Sequence, residues 1–290
     1  MIEVCRIPPR IVERDRMTQT LVAPTGAMLK VNRLFHYQQF NADWLRTTLL
    51  EEKIWFSNPA DFNDPWDCRP FFYLPDENES DLKERYVEWF CARSADMPEE
   101  ERALKAKGLR EDPAYLKRVV EKFSQLMTTA IREQYRVYCL STKSDSTLMW
   151  SHYANDHRGV CLEFRCDNEV FSSAMKMNYT DEYPLFDFAS DPLLPLITKS
   201  RAWGYEDEYR VVALERFIDP SVAVAGVIRT KENFLKLPRG ALQSVIMGCM
   251  IERADADKLQ QIIGQQFPRR VALRRAVRVP NRYSLAIETC

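Results

Sequence analysis

Short runs of apolar residues, many of them alternating with polar ones, recur along most of the chain and predict β-strands. Longer stretches with apolar residues three or four positions apart predict helices between them. The predicted strands cover residues 31–37, 54–57, 136–141, 159–164, 205–214, 244–247 and 271–279, and the predicted helices cover residues 41–52, 146–154 and 254–267. Many short strands with a few helices at one side favour an α+β fold.

Residues 76–135 depart from this pattern because they are rich in charge and carry two apolar stripes at helical spacing. Leu82 and Tyr86 begin one stripe, and Tyr115 and Val119 begin the other. We interpret the segment as a helical insertion that serves packing, with a lid over a site as the alternative. Residues 1–28 are interpreted as an N-terminal arm, and residues 29–290 as a single domain of catalytic type.

Composition excludes several classes of protein. Among 290 residues, 46% are hydrophobic, and the formal net charge of −1 gives no general attraction to nucleic acid or to anionic membranes. No apolar stretch reaches the roughly 20 residues that a transmembrane helix needs. The eight cysteines contain no C-x-x-C pair, which favours a reducing cytoplasm over a disulfide framework. We expect a cytoplasmic protein without membrane contact.

The segment Trp203-Gly-Tyr-Glu-Asp-Glu-Tyr-Arg210 carries the strongest chemical signal. In an extended strand, Glu206, Glu208 and Arg210 point to one side, and two glutamates so close repel unless a cation faces them. Arg210, Lys199 or Arg201 would neutralise them in a structural salt bridge. The functional interpretation is a carboxylate that stays ionised beside the cationic sugar of a glycosidic cleavage.

Two earlier segments add a histidine, hydroxyls and aromatic rings. His36 ends the first predicted strand and is followed by Tyr37; a satisfied structural histidine is an equally weighted interpretation. Ser141 and Thr142 end a middle strand, and the helix after them carries Met149, Trp150, His152 and Tyr153. An aromatic platform beside a serine suits a flat heteroaromatic ring, although Met149 is better explained as a core residue.

The string Phe62-Asn-Asp-Pro-Trp-Asp67 is typical of a rigid turn, with Trp66 in the core. Alternatively, Asp64 or Asp67 fixes a site residue. No Gly-rich phosphate loop is present. Near the C-terminus, six arginines form either a phosphate-binding stripe or a charged sheet edge. They are Arg269, Arg270, Arg274, Arg275, Arg278 and Arg282.

The strings F-N-D-P-W-D, M-W-S-H-Y, G-V-C-L-E-F and W-G-Y-E-D-E-Y-R resemble the signature of a bacterial family known as domain of unknown function 2971, over roughly residues 33–250. The name of that family states no activity. The order of the motifs also resembles ADP-ribosyltransferases, especially the clade of the poly(ADP-ribose) polymerases and diphtheria toxin. That clade has a histidine on its first strand, a stacking tyrosine on a middle helix and a glutamate on a late strand. Ser141-Thr142 and Glu206-Asp207-Glu208 also resemble the Ser-Thr-Ser and Glu-x-Glu motifs of the arginine-clade transferases. Two residues depart from these patterns: Tyr37 follows His36 where the polymerase clade usually has Gly, and Lys143 replaces the third residue of Ser-Thr-Ser.

This second resemblance implies an ADP-ribosyltransferase-like split β-sheet with NAD as substrate in the cleft between its halves. It implies that Glu208, Glu206 and His36 are catalytic, with Glu208 on the nicotinamide ribose and Glu206 on the acceptor. The implied NAD-binding residues are His36, Tyr37, Ser57, Ser141, Thr142, Trp150 and Tyr153. No metal is implied. ADP-ribose would pass to a protein or nucleic acid, or to water, and a toxin or phage-defence role would be typical of such bacterial families.

Two other hypotheses remain open. A metal-dependent nuclease or nucleic-acid-binding defence protein would use the terminal arginines, with Asp64, Asp67, Glu206 and Glu208 around a divalent metal. A non-catalytic module would bind a nucleotide in the aromatic cleft without turnover.

Overall fold

A computed structural model describes residues 23–76, 78–186, 193–215, 228–266 and 271–290. The helices are α1 (Ala42–Leu50), α2 (Ser80–Arg93), α3 (Glu99–Glu111), α4 (Pro113–Gln134), α5 (Thr147–Tyr153) and α6 (Arg253–Gly264). The first strands are β1 (Arg33–Gln38), β2 (Lys53–Trp55), β3 (Phe71–Phe72), β4 (Tyr135–Ser141), β5 (Val160–Arg165), β6 (Met175–Lys176), β7 (Asn178–Thr180) and β8 (Leu185–Phe186). The remaining strands are β9 (Thr198–Ser200), β10 (Glu208–Leu214), β11 (Ile228–Arg229), β12 (Phe234–Lys236), β13 (Leu242–Met247), β14 (Ala272–Arg278) and β15 (Leu285–Thr289).

Nine strands form the main sheet, in the order β11-β10-β4-β1-β5-β13-β14-β15, with β6 also paired to β10. The pairs β10–β11 and β13–β14 are parallel and the other neighbours are antiparallel. Helix α6 makes the crossover between β13 and β14 that a parallel pair requires. The prediction of an α+β fold is confirmed.

The main sheet opens between β1 and β4. Six residue pairs join β1 to β5, and seven join β4 to β10. Only one pair, Phe35 opposite Ser141, joins β1 to β4. The two halves of the sheet therefore separate on one side of this pair. The ADP-ribosyltransferase-like arrangement as a whole stays a prediction.

The two faces of the sheet are covered by different hydrophobic clusters. Leu34, Tyr138, Leu162 and Val211 face the layer of α1 and α6, which pack against each other. On the opposite face, α5 packs against β1, β5 and β13, with Trp150 fully buried. Alternation along the strands explains why consecutive residues belong to different clusters.

Helices α2 to α4 follow one another between β3 and β4 and bury a cluster of their own. Asp112 caps the N-terminus of α4 by accepting hydrogen bonds from the backbone N–H groups of Ala114 and Tyr115, and Pro113 occupies the first helical position. Tyr86 and Leu116 are among the buried residues of this cluster. The segment therefore has the packing expected of a small helical subdomain.

Several boundaries differ from those that the sequence predicts. The strand predicted over residues 205–214 begins only at Glu208, since Asp207 adopts a left-handed backbone conformation with φ 45° after a 3-10 helix over Arg201–Glu206. Most of the predicted N-terminal arm, residues 1–22, lies outside the described residues, as do Arg269 and Arg270. In the described part of the chain, no helix combines the length and the apolar character needed to cross a bilayer.

Candidate functional site

A cleft of about 400 Å³ lies where the main sheet opens. Both halves of the sheet line it, together with α5 and the segment after β2 that contains Asp61, Phe62 and Asp67. Six of the nine residues that the sequence predicts for the site line this one cleft: His36, Tyr37, Ser57, Tyr153, Glu206 and Glu208.

A buried group of charged side chains forms one wall of the cleft, and we call it the ion cluster: Asp67, Lys199, Glu206, Glu208 and Arg210. Arg210 donates to both carboxylate oxygens of Asp67, at 2.8 and 2.6 Å, and its Nε lies 2.7 Å from Glu208 Oε1. Lys199 Nζ lies 2.6 Å from Glu206 Oε2 and 3.2 Å from Glu208 Oε2. Three carboxylates thus face two cations, which leaves one net negative charge when all five groups are ionised.

Lys199 holds the ion cluster together, although the sequence indicated it only as one of three candidate counter-ions. It lies on β9, and its ammonium group is 4.7 Å from the centre of the Trp203 ring. Burial lowers the pKa of Lys199, but Glu208 and Glu206 outweigh burial and raise it above its ordinary value. Lys199 therefore stays charged. Arg201, the third candidate, pairs with Asp181 at the surface instead.

The two glutamates have opposite pKa shifts. For Glu206, burial and the neighbouring Glu208 raise the pKa, against the opposing effect of Lys199. For Glu208, burial raises the pKa, but Arg210 and Lys199 outweigh it and lower the pKa to about 2. Environments that separate the pKa values of adjacent carboxyls assign them different roles, one as a fixed anion and the other as a group that exchanges a proton.

Tyr153 brings α5 to the ion cluster. Its hydroxyl donates a hydrogen bond of 2.5 Å to Glu206 Oε1. Ser146 caps the helix by accepting from the backbone N–H of Met149, which fixes where α5 begins. Burial, followed by Glu206, raises the pKa of Tyr153, so the hydroxyl remains a donor.

His36 lines the cleft from the other half of the sheet. Its Nδ1 lies 2.8 Å from the carbonyl oxygen of Cys139, and its ring stacks on Tyr138 with 4.2 Å between the ring centres. Burial lowers the pKa of His36 to about 4, so the ring is neutral near pH 7. Because a carbonyl only accepts, the proton is on Nδ1, and Nε2 becomes a hydrogen-bond acceptor.

The remaining predicted residues shape the site without lining the cleft. Ser141 is fully buried, and its hydroxyl donates to the backbone carbonyl of Glu206 at 2.5 Å. Thr142 donates to Asp207. Trp150 is fully buried in the α5 layer, where its Nε1 donates to the carbonyl of Ser144 at 2.9 Å. These three residues therefore hold the turn before β10 and fix the position of α5. Of the two large aromatic residues predicted on α5, only Tyr153 lines the cleft.

Tyr37 and Ser57 line the cleft and also make hydrogen bonds that hold its walls in place. The Tyr37 hydroxyl donates to the carbonyl of Lys143 at 2.8 Å, and its ring meets Trp150 edge-on. Ser57 exchanges two backbone hydrogen bonds of 2.9 Å with Val137. They anchor opposite walls of the cleft.

The geometry gives less support to the hypotheses of a metal site and an arginine stripe. Asp67, Glu206 and Glu208 are held by Lys199 and Arg210, and no set of three or more potential metal ligands comes together within the described residues. Among the described residues, the arginines of β14 do not lie at a sheet edge, because β14 is paired with β13 and β15, and strand alternation places Arg275 on the opposite face from Arg274 and Arg278.

A protein-family model described as "Protein of unknown function (DUF2971)" matches residues 149–211. This segment runs from α5 to β10 and contains four of the five residues of the ion cluster, while Asp67 and His36 lie outside it. The match is shorter than the range of 33–250 expected from the motifs, and the description gives no activity. No curated protein and no solved structure matches the chain.

Proposed function

We propose that the protein cleaves NAD at the bond between nicotinamide and ribose and transfers ADP-ribose to an acceptor, as an ADP-ribosyltransferase-like enzyme. The observation that carries the proposal is the opening of the main sheet. It brings a neutral histidine from one half and two glutamates with opposite pKa shifts from the other into one cleft. A volume of about 400 Å³ is within the range of small-molecule sites.

His36 and Glu208 have the properties that binding and bond cleavage require. The free Nε2 of His36 would accept a hydrogen bond from a hydroxyl, such as one of the adenine-side ribose. Glu208 is ionised, and the ion cluster that contains it carries one net negative charge when all five groups are ionised, so this wall of the cleft favours a sugar that becomes cationic. Tyr153 would place its ring against the nicotinamide.

Glu206 has the properties of the proton acceptor. In the reaction the bond between the ribose C1 and the nicotinamide nitrogen breaks, and its electron pair leaves with neutral nicotinamide. An oxygen or nitrogen of the acceptor, or water, forms the new bond to C1, and its proton is lost. A carboxylate with a raised pKa, bonded on one side to Tyr153 and on the other to Lys199, suits the role of receiving this proton.

A second candidate function is a nucleotide-binding module without turnover. It is favoured by the bonding of Glu208, both of whose carboxylate oxygens are held by cations of the same chain. Such saturation is also what a purely structural ion pair would show. This candidate predicts NAD binding in calorimetry with no release of nicotinamide.

The deciding experiment incubates the full chain with NAD labelled in the nicotinamide ring and measures released nicotinamide. We expect release by the wild type and a rate reduced by about 10²-fold or more in Glu208→Gln, the usual effect of removing a key electrostatic group. The matched control is Glu163→Gln. Glu163 is also a buried strand glutamate paired to arginines, Arg33 and Arg274, but it does not line the cleft. This control should keep the wild-type rate.

A second variant tests the proposal in case Glu208→Gln does not fold. Tyr153→Phe removes only the hydroxyl that donates to Glu206, and this hydrogen bond lowers the pKa of Glu206. Without it the pKa of Glu206 rises further, so the acidic limb of the pH–rate profile should move to higher pH. If Glu208→Gln is folded and releases nicotinamide at the wild-type rate, the proposal is wrong.

A further inference from the structure

A second cavity, of about 270 Å³, lies beside the ion cluster. Asp67 and Lys199 line both this cavity and the first cleft, so the ion cluster is the wall between them. The residues Thr180–Pro184 and the turn at Asp64–Asp67 form its other sides. None of the functions described so far uses this cavity.

Asp64 gives the cavity an uncompensated charge. It is only 5% exposed, and one of its carboxylate oxygens accepts a hydrogen bond of 2.9 Å from the backbone N–H of Trp66. Within the described residues, no lysine, arginine or histidine forms an ion pair with Asp64, although Asp67 beside it has Arg210. A buried carboxylate without a cation is costly, and a cationic ligand would remove that cost.

Thr198 adds an independent indication of a ligand. It lines the cavity and is 7% exposed, and its hydroxyl has no hydrogen-bond partner among the described residues. Almost all buried hydroxyls are hydrogen-bonded, so this one is available to a group that enters the cavity.

Two aromatic rings complete the cavity. The side chain of Trp66 is 64% exposed, against the sequence-based expectation that it fills the core, and Tyr183 is also exposed. An exposed indole beside a carboxylate is the usual setting for binding an organic cation, because the ring face attracts positive charge and the carboxylate pairs with it. Glu182 at the same cavity adds negative charge, whereas Asp181 is paired with Arg201.

We infer that this cavity binds the protonated amine or guanidine group of a second substrate. Asp64 pairs with the cation, Trp66 covers it with its ring, and the Thr198 hydroxyl accepts from one of its N–H groups. The assignment to a second substrate rests on the proposed function, since only a transferase has an acceptor to hold next to the NAD cleft. Binding of the cation itself is independent of NAD.

The test is calorimetric titration of the full chain, without NAD, with butylguanidinium, butylammonium and the neutral analogue butylurea. We expect one or both cations to bind and butylurea to bind at least tenfold more weakly, since a charge-assisted pair contributes more than a neutral hydrogen bond. The tighter of the two cations identifies the chemical class of the acceptor group.

Three variants locate the binding. Asp64→Asn keeps the oxygen that accepts from Trp66 but removes the charge, and should weaken the cation at least tenfold. Thr198→Val should weaken it severalfold with little risk to folding. Glu51→Gln, which removes an acid from the exposed end of α1, should bind as the wild type does.

Equal binding of butylurea and the cations, or unchanged binding by a folded Asp64→Asn, would overturn this inference. Its failure is distinct from that of the proposed function. If the chain releases nicotinamide normally but binds no cation, only the inference about the second cavity is wrong. If it binds the cation but releases no nicotinamide, the cavity still binds a cation, and the proposed transfer reaction is wrong.

Discussion

Glu206 and Glu208 are the same chemical group two positions apart, and their neighbours alone make them different. Glu208 has Arg210 and Lys199 on both oxygens, and its pKa falls to about 2. Glu206 shares Lys199 and accepts a hydrogen bond from Tyr153, but burial and the neighbouring Glu208 outweigh both and raise its pKa. The sequence predicted a pair of acids facing cations. It could not predict which acid keeps its proton more readily, because that depends on how Arg210 and Lys199 lie around the two buried carboxylates in the folded chain.

His36 should make the protein less stable in mild acid. Its pKa is lowered to about 4 in the folded chain, below the ordinary value of 6.5. Between these values the unfolded chain binds a proton that the folded chain does not, so the free energy of unfolding falls as pH drops from about 6.5 to about 4. Urea unfolding of wild type and His36→Asn between pH 7.5 and 4.5 measures the effect, and we expect the variant to lose less stability across this range.

The control for this measurement is His152→Asn, since His152 is an exposed histidine of α5. Its stability should decline with pH as steeply as that of the wild type. An equal decline for His36→Asn and wild type would show that His36 is not held neutral by its surroundings.

For single helices and strands, the sequence predicts those boundaries that neighbouring residues determine. Asn41, the first residue of the helix predicted over residues 41–52, caps α1 by accepting from the backbone N–H groups of Asp43 and Trp44. The start of β10 is displaced because the left-handed conformation of Asp207 interrupts the run of alternating residues. Nothing in the periodicity marks that residue, since its conformation is fixed by tertiary contacts such as the bond from Thr142.

The turn after α5 depends on a glycine that is distant in sequence. Asn155, Asp156 and His157 all have positive φ, and the His157 carbonyl lies against Gly248, where a Cβ atom would overlap it. Gly248→Ala should therefore lower the free energy of unfolding by about 1–3 kcal/mol, the usual range for overpacking. Gly264→Ala is the control, because a Cβ on this residue at the end of α6 meets no atom within 4 Å. Chemical denaturation that ranked both variants equal would contradict the clash.

For the molecule as a whole, the site is formed by residues that are distant in sequence and meet only in the folded chain, which local sequence patterns cannot show. Arg210 binds Asp67, 143 positions earlier, and only the folded sheet brings them together. The opening between β1 and β4 likewise arises from pairing over long sequence distances. Motif order still predicted six of the residues that line the cleft, because those motifs stand at the ends of strands and helices, where a sheet presents its side chains.

The placement of β14 in the whole sheet leads to a prediction about nucleic acid. Arg275 and Arg278 are exposed, but strand alternation places them on opposite faces, while Arg274 is half-buried and bonded to Glu163. A duplex or single strand that follows one face meets only one of the two exposed arginines. We therefore expect the double variant Arg275→Gln, Arg278→Gln to change the slope of log affinity against log salt by less than about one unit. Fluorescence anisotropy with a labelled oligonucleotide over a salt series measures this slope. A decrease of about two units would mean that both arginines contact phosphates, and nucleic acid would then become the favoured acceptor.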